Sequence, residues 1–418
     1  MKSIHEFLAP PAQSCKREGP HVRIVMSSRV RLARNLKAFS FPGWAKKADR
    51  VRALEVVRPA VESLAQMDGA FSESMDNLTA MDKQILVERH LISREHAAKN
   101  VGSGLVLNKE ETLCVMINEE DHLRMQALRP GLQLRSAWLA IDQVDTALEK
   151  RLDYAFSTQL GYLTACPTNL GTGIRVSAML HLPALVLSEQ INQIIQAVNK
   201  LGLAVRGLYG EGTEAFGNVF QVSNQMTLGE AETDIVERLN KVLTQLIEHE
   251  ENARGSLLEK KPKMVFNHIG RAYGTLANAH SITSKETMNL LCLMRLGIDL
   301  GMFAGAERAL VDELFIVTQP AHLQKQFTEK LPPKSATCSA LTCSATDCAP
   351  SAARLRRRGP KARSRTRTQP EPLSGPGCRR RPIGDDAERE RLSSSSFWWG
   401  FPLNFRLTNY RTVVSFLG

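Results

Sequence analysis

Five short charged strings, each set against an apolar run, constrain this chain more than any other feature: SSRVR at Ser27–Arg31, NEEDHLR at Asn118–Arg124, CPTNLGTGIR at Cys166–Arg175, RGLYGE at Arg206–Glu211, and SNQ from Ser223. A fold that buries the apolar runs must gather the charges on one open face, because charged side chains enter a core only when paired. Gly104–Leu107 and Thr112–Asn118 read as a hairpin with a polar NKEE turn, which sets Glu120 just past a strand end. Ser188 reads as the N-cap of a helix whose stripe runs Ile191, Ile194, Ile195, Val198 and Leu201, stopped by Gly202. A strand over Leu203–Tyr209 carries Arg206, a loop with Gly210, Gly212 and Gly217 carries Glu211, and a second strand spans Asn218–Ser223. Those glycines suit either a hairpin turn or a loop that closes over a ligand. Glu230–His249 gives another amphipathic helix through Ile235, Leu239, Val242, Leu246 and Ile247. Strands and helices mix without βαβ repeats, so the expected class is α+β: a curved, mainly antiparallel sheet flanked by helices, placed on one face.

A helical segment begins near Lys261. Thr283 and Glu286 form a capping box, Met288, Leu291, Leu293 and Leu296 supply apolar positions before Gly297, and Ala309–Val317 continues the pattern until Pro320 interrupts it. Beyond Gln326 the chain changes character: residues 331–381 are rich in Pro, Ser, Ala and Arg, with no apolar period to offset ordering entropy. Cys338, Cys343 and Cys348 recur without CxxC spacing or a following histidine, so no metal site is expected there. The expected division is an N-terminal segment 1–21, a catalytic body 22–260, an incomplete helical segment 261–326 and a basic tail 327–418. The tail reads either as a disordered extension or as a terminus read in a shifted frame, and the abrupt change of composition favours the second.

The net charge of +11 arises mostly in that tail: residues 331–418 hold 16 Lys/Arg against 6 Asp/Glu, whereas residues 1–330 hold 38 against 37. A nearly neutral body argues for a local phosphate site rather than a nucleic-acid surface. No apolar run is long enough to span a membrane and no basic-then-apolar leader opens the chain, so a cytoplasmic protein is expected. The scattered cysteines are consistent with that compartment.

The residue types in the five strings suit phosphoryl transfer to a guanidinium. Such transfer leaves the protein little covalent work, so rate comes from positioning and from stabilising charge on phosphate oxygens. Arg29, Arg31, Arg124, Arg175 and Arg206 offer planar, permanently charged forks for a polyphosphate. Glu120 and Glu211 can pair with an acceptor guanidinium, one of them as general base, and a Cys166 thiolate would add a third negative group. Each string alone has a structural alternative, and GTG from Gly171 lacks the third glycine of a dinucleotide motif.

In this order the strings resemble the guanidino phosphotransferase family, which includes arginine and creatine kinases, and most closely its bacterial protein-arginine kinase branch, from Val22 to Gln324. The resemblance implies an ATP and Mg²⁺-dependent enzyme with Ser27, Arg29, Arg31, Arg124, Arg175 and Arg206 on the nucleotide, and His90 of ERHLIS packed near its base. It makes Glu120 and Glu211 the two carboxylates and Cys166 the reactive cysteine. Metabolic members carry a helical domain before the first motif, which here begins at Ser27, so the resemblance favours a protein substrate with an accessible arginine over free arginine. It further implies a homodimer formed through the helical segment, a stress-response role with a Clp-type ATPase, control of a heat-shock repressor, and a zinc-binding activator protein. The branch normally carries an arginine-aspartate pair for phosphoarginine in its last domain, and no RD pair follows Gln326. A free-arginine kinase and a non-catalytic phosphoarginine-binding adaptor are the alternatives. Loss of a carboxylate or phosphate arginine would favour the adaptor, and all of them are present.

Overall fold

Side chains alternate along the first strand, Val25–Arg34 (β1): Val30 and Leu32 are buried, while Ser27, Arg29 and Arg31 on the other side stay partly open. The computed structural model describes residues 18–207 and 216–326. Within them the further strands are Phe71–Ser74 (β2), Gly104–Leu107 (β3), Leu113–Ile117 (β4), Leu123–Pro130 (β5), Phe156–Ser157 (β6), Gly161–Tyr162 (β7), Ile174–His181 (β8), Leu203–Gly207 (β9) and Val219–Asn224 (β10). Eight of these form one antiparallel sheet in the order β2-β3-β4-β5-β1-β8-β10-β9, and β6 with β7 makes a separate small hairpin.

The helices are Lys47–Glu62 (α1), Ala80–Glu88 (α2), Arg94–Ala97 (α3), Leu134–Glu149 (α4), Pro183–Leu187 (α5), Ile191–Lys200 (α6), Glu232–Lys260 (α7), Pro262–Asn278 (α8), Ser284–Asp299 (α9), Arg308–Val317 (α10) and Pro320–Gln326 (α11). One sheet face, with Val30, Met125, Val176 and Val222, packs on Val57 of α1, Ile141 of α4 and Leu239 of α7 to form the main core. Helices also cover part of the other face: Leu105, Leu107, Cys114 and Met116 of β3 and β4 pack there against Ile85 and Leu86 of α2. The one-sided arrangement expected from the sequence therefore needs correction. β3 and β4 are buried on both faces, and the continuous apolar run of β4 is the reason. A third cluster joins Met288, Leu291 and Cys292 of α9 to Leu314 and Phe315 of α10. Val265, Ile269 and Leu296 of the later helices belong to the main core.

The β3–β4 hairpin forms as expected: the Asn108 side-chain oxygen accepts from the Thr112 and Leu113 amides, both at 2.8 Å, and closes the turn. Thr283 caps α9 by accepting from the Glu286 amide at 3.2 Å. Ser188 does not cap α6. Pro183 opens the separate short helix α5, Ser188 closes it, and Glu189 turns the chain at φ 62° before α6. Helix α7 runs beyond His249 to Lys260 because Glu250 has a use in the core. Its fully buried carboxylate accepts from the Ala184 and Leu185 amides at 3.1 and 3.0 Å and from Arg254 Nε at 2.8 Å, capping α5. Glu88 likewise accepts from the Ala321 and His322 amides at 2.9 and 3.1 Å, fixing α11 beside the end of α2. Glu211 and the tail 327–418 lie outside the described residues.

Candidate functional site

Residues directly opposite in an antiparallel pair share a face. Arg31 stands opposite Arg175 of β8 and Gln126 of β5, Arg29 opposite Ser177 and Leu128, and Arg124 opposite Ala33. On the next strands Gln221 faces both Met179 and Arg206. Register alone thus brings the arginines of four strings onto the face that α2 covers at one end, although they are far apart in the chain. Arg29, Arg31, Arg124, Arg175 and Arg206 line one cleft of about 480 Å³ together with Glu120, Cys166 and His90. Ser27 stands in the same row of β1 but opens into an adjoining, smaller pocket of about 100 Å³, which shares His90 and Met179 with the cleft. Of the residues expected in the site, Glu211 is the one outside the described residues.

The guanidinium groups crowd one another. Burial, reinforced by Arg124 and Arg175, pushes Arg29 down to about 10, and burial with Arg29, Arg124 and Arg175 carries Arg31 well below its ordinary value. Arg175 is lowered by burial and then by Arg206 and Arg124. Arg31 Nε is buried with no hydrogen-bond partner. A cluster of cations with an orphaned buried donor is held at a cost that an anion would relieve, which is the fit a polyphosphate requires. Burial and Arg29 push His90 down to about 4, so its ring is neutral at physiological pH and suited to an apolar contact. His90 also holds a left-handed backbone, φ 60°, just beyond the end of α2.

A second layer of side chains aims the arginines. Arg29 donates to Gln221 Oε1 at 3.0 Å and to Ser177 Oγ at 3.4 Å, and Arg175 donates to the Asn224 carbonyl at 3.1 Å. Arg124 donates to Glu119 Oε2 at 2.5 Å, and Ser93 donates to the other oxygen of the same fully buried carboxylate. Burial alone would raise Glu119, but Arg124 and the two hydrogen bonds hold it below the ordinary range. Burial would lower Arg124, and Glu119 more than offsets it. Sequence reasoning singled out Glu120 in NEEDH and missed Glu119. Only its position directly after the buried β4 run hinted that its side chain turns inward.

Glu120 is exposed at the cleft, and its carboxyl is raised by burial of part of the group and then by Asp121. Asp121 joins the two acceptor-side loops: its Oδ1 accepts from Asn35 Nδ2 at 2.6 Å and from the Ala165 amide at 2.7 Å, fixing Glu120 relative to Cys166. Cys166, partly exposed, lies 3.0 Å from Thr168 Oγ1. The glycines of GTG serve close approach rather than nucleotide binding: a Cβ at Gly171, φ 106°, would stand 2.7 Å from the Thr227 carbonyl oxygen, and one at Gly173 2.6 Å from that of Ala33. His122 is structural. It accepts from the Leu36 amide at 3.3 Å, its ring lies near Phe39 and Phe41, and burial lowers it to about 4.

The sequence model described as the ATP:guanido phosphotransferase C-terminal catalytic domain matches residues 53–253, and that described as the protein-arginine kinase McsB C-terminal domain matches residues 262–338. The chain is 45% identical to a protein-arginine kinase of Halothermothrix orenii, over 76% of this chain and 90% of that protein. It is 49% identical to one of Bacillus licheniformis, over 74% and 86%, and 46% identical to one of Bacillus subtilis, over 77% and 90%. Among solved structures, the duplicated taurocyamine kinase of Schistosoma mansoni with bound transition-state analogue components superposes with a TM-score of 0.51 at 26% identity, over 60% of this chain and 38% of that one. Lombricine kinase superposes with a TM-score of 0.50 at 23% identity, over 60% and 76%, a likeness of fold.

Proposed function

The chain belongs to the ATP:guanido phosphotransferase family, and we propose that it is an ATP-dependent protein-arginine kinase that moves the terminal phosphoryl group of ATP onto an arginine side chain of a protein. The observation that carries this reading is the single cleft in which five arginines converge beside Glu120 and Cys166. Arg29, Arg31, Arg124, Arg175 and Arg206 hold the phosphate oxygens from several strands, with Arg31 Nε finding there the acceptor it lacks. Glu120 orients the acceptor guanidinium and takes its proton as the new N–P bond forms and the bond to the ADP oxygen breaks, while Glu211 serves as the second carboxylate. A Cys166 thiolate faces the same guanidinium and stabilises its charge. His90 and Ser27 take the nucleoside end, where the smaller pocket begins. Mg²⁺ supplies charge neutralisation on the phosphates. Among the described residues no cluster of three or more His, Cys, Asp or Glu is arranged for a metal, so the ion comes with the nucleotide.

Family membership supports the wider role as well: a cytoplasmic homodimer in stress response, marking proteins for a Clp-type ATPase and its protease, acting on a heat-shock repressor, and assisted by a zinc-binding activator protein. No described helix is long and apolar enough to cross a membrane. The test is incubation with ATP, Mg²⁺ and an unstructured arginine-rich protein, followed by mass spectrometry for acid-labile phosphoarginine. Folded, ATP-binding protein that yields none would overturn the proposal.

A further inference from the structure

Beside the acceptor end of the cleft lies a second groove, of about 450 Å³, with an apolar floor and rim formed by Phe156, Leu160, Tyr162 and Leu228. Phe156 is 57% exposed, Leu160 43% and Leu228 48%, so large apolar side chains stand open to solvent along a short stretch of surface. The floor is rigid. The Arg34 guanidinium stacks 3.6 Å below the Tyr162 ring, the Tyr162 hydroxyl donates to Glu149 at 3.1 Å, and Phe156 meets the ring edge-on at 5.2 Å. Arg34 is itself fixed by Asp145 at 2.6 Å.

The groove is continuous with the acceptor site. Thr227, between the exposed Met226 and Leu228, donates to the carbonyls of Thr168 at 3.2 Å and Leu170 at 2.6 Å, and Thr168 is the residue that touches Cys166 Sγ. On the other wall the Leu163 carbonyl accepts from Asn35, which also holds Asp121 beside Glu120. The groove carries Glu230 and Glu232 on its edge, carboxylates that suit a segment made basic by an arginine.

We propose that this groove binds an apolar side chain that neighbours the target arginine in an extended stretch of the protein substrate, so that the enzyme prefers arginines next to exposed hydrophobic residues, the signature of an unfolded chain. The inference rests on the protein-arginine kinase reading and adds the substrate class to it. A folded protein buries such residues, so the groove selects against it without contacting the guanidinium.

The test uses the full chain and two short fluorescent peptides, each with one central arginine, flanked by leucines in one and by serines in the other. Anisotropy is expected to show the leucine peptide binding roughly tenfold more tightly, the scale of one aliphatic side chain in a pocket. Leu160→Ser and Leu228→Ser, both at exposed positions, should abolish that preference while leaving ATP binding unchanged. Equal binding of the two peptides, or a preference that survives both substitutions, overturns the groove. Turnover of the same peptides separates the two readings. Preferential binding without any phosphorylation sinks the kinase reading alone, and phosphorylation without leucine preference sinks the groove alone.

Discussion

Replacing Arg31 by Met should have opposite effects on the free protein and on the nucleotide complex. In the free chain Arg31 is pressed by Arg29, Arg124 and Arg175, and its Nε has no partner. An unsatisfied buried donor costs about 1–3 kcal/mol, and a like-charge cluster adds to that. Because its folded-state value is depressed yet it is protonated in folded and unfolded chains alike near pH 7, this cost is fully present at neutral pH and fades only as pH rises towards the depressed value. Methionine fills similar volume with no charge to desolvate. Arg31→Met should therefore raise the stability of the nucleotide-free protein by about 1 kcal/mol or more. The same change removes charge-assisted bonds to phosphate worth about 1.5–3 kcal/mol, so ATP affinity should fall by roughly 10- to 150-fold. Urea unfolding without nucleotide gives the first quantity, and calorimetric titration with ATP gives the second. A variant that is less stable and binds ATP normally would show that Arg31 is a structural residue and that the cleft is not a phosphate site.

Three further outcomes follow from the acceptor side. Glu120→Gln should lower turnover by about 10² or more with ATP affinity nearly unchanged, the scale of a lost general base; unimpaired transfer in a steady-state assay would remove Glu120 from the mechanism. The base form of Glu120 is lost as pH falls through its raised value, so Asp121→Asn, which removes one cause of that rise, should move the acid limb of the pH–rate profile to lower pH; an unmoved limb would mean that another group titrates. Cys166→Ser should leave ATP binding intact and reduce transfer, and a variant with full activity would confine the thiol to a packing role.

The parts legible in the sequence were those in which local chemistry and tertiary placement agree. The Asn108 turn, the Thr283 cap and the apolar alternation of β1 each follow from a few adjacent residues. Ser188 misled because a cap-forming residue also closes a helix, and Pro183 had already started one five residues earlier. The length of α7 depended on Glu250, a charge that looks like a surface residue until α5 is brought to it. The site followed the same division. The reacting and phosphate-binding residues stood out by type and motif, whereas Glu119, Asn35, Gln221 and Ser177 act only through partners supplied by other strands. Covering both faces of β3 and β4 was written in a continuous apolar run, but such a run does not say what covers it.

The central claim is that the acceptor is an arginine held in a polypeptide. Glu120 is exposed and Cys166 partly so, and contacts along the neighbouring chain supply the energy that holds the guanidinium in line for attack. The decisive measurement is kcat/KM for an unfolded arginine-containing protein beside kcat/KM for free arginine, with the same enzyme, ATP and Mg²⁺. The account predicts a ratio of at least about 10², or roughly 2.7 kcal/mol of transition-state stabilisation. Comparable efficiency with free arginine would contradict it and make the chain a kinase of the free amino acid.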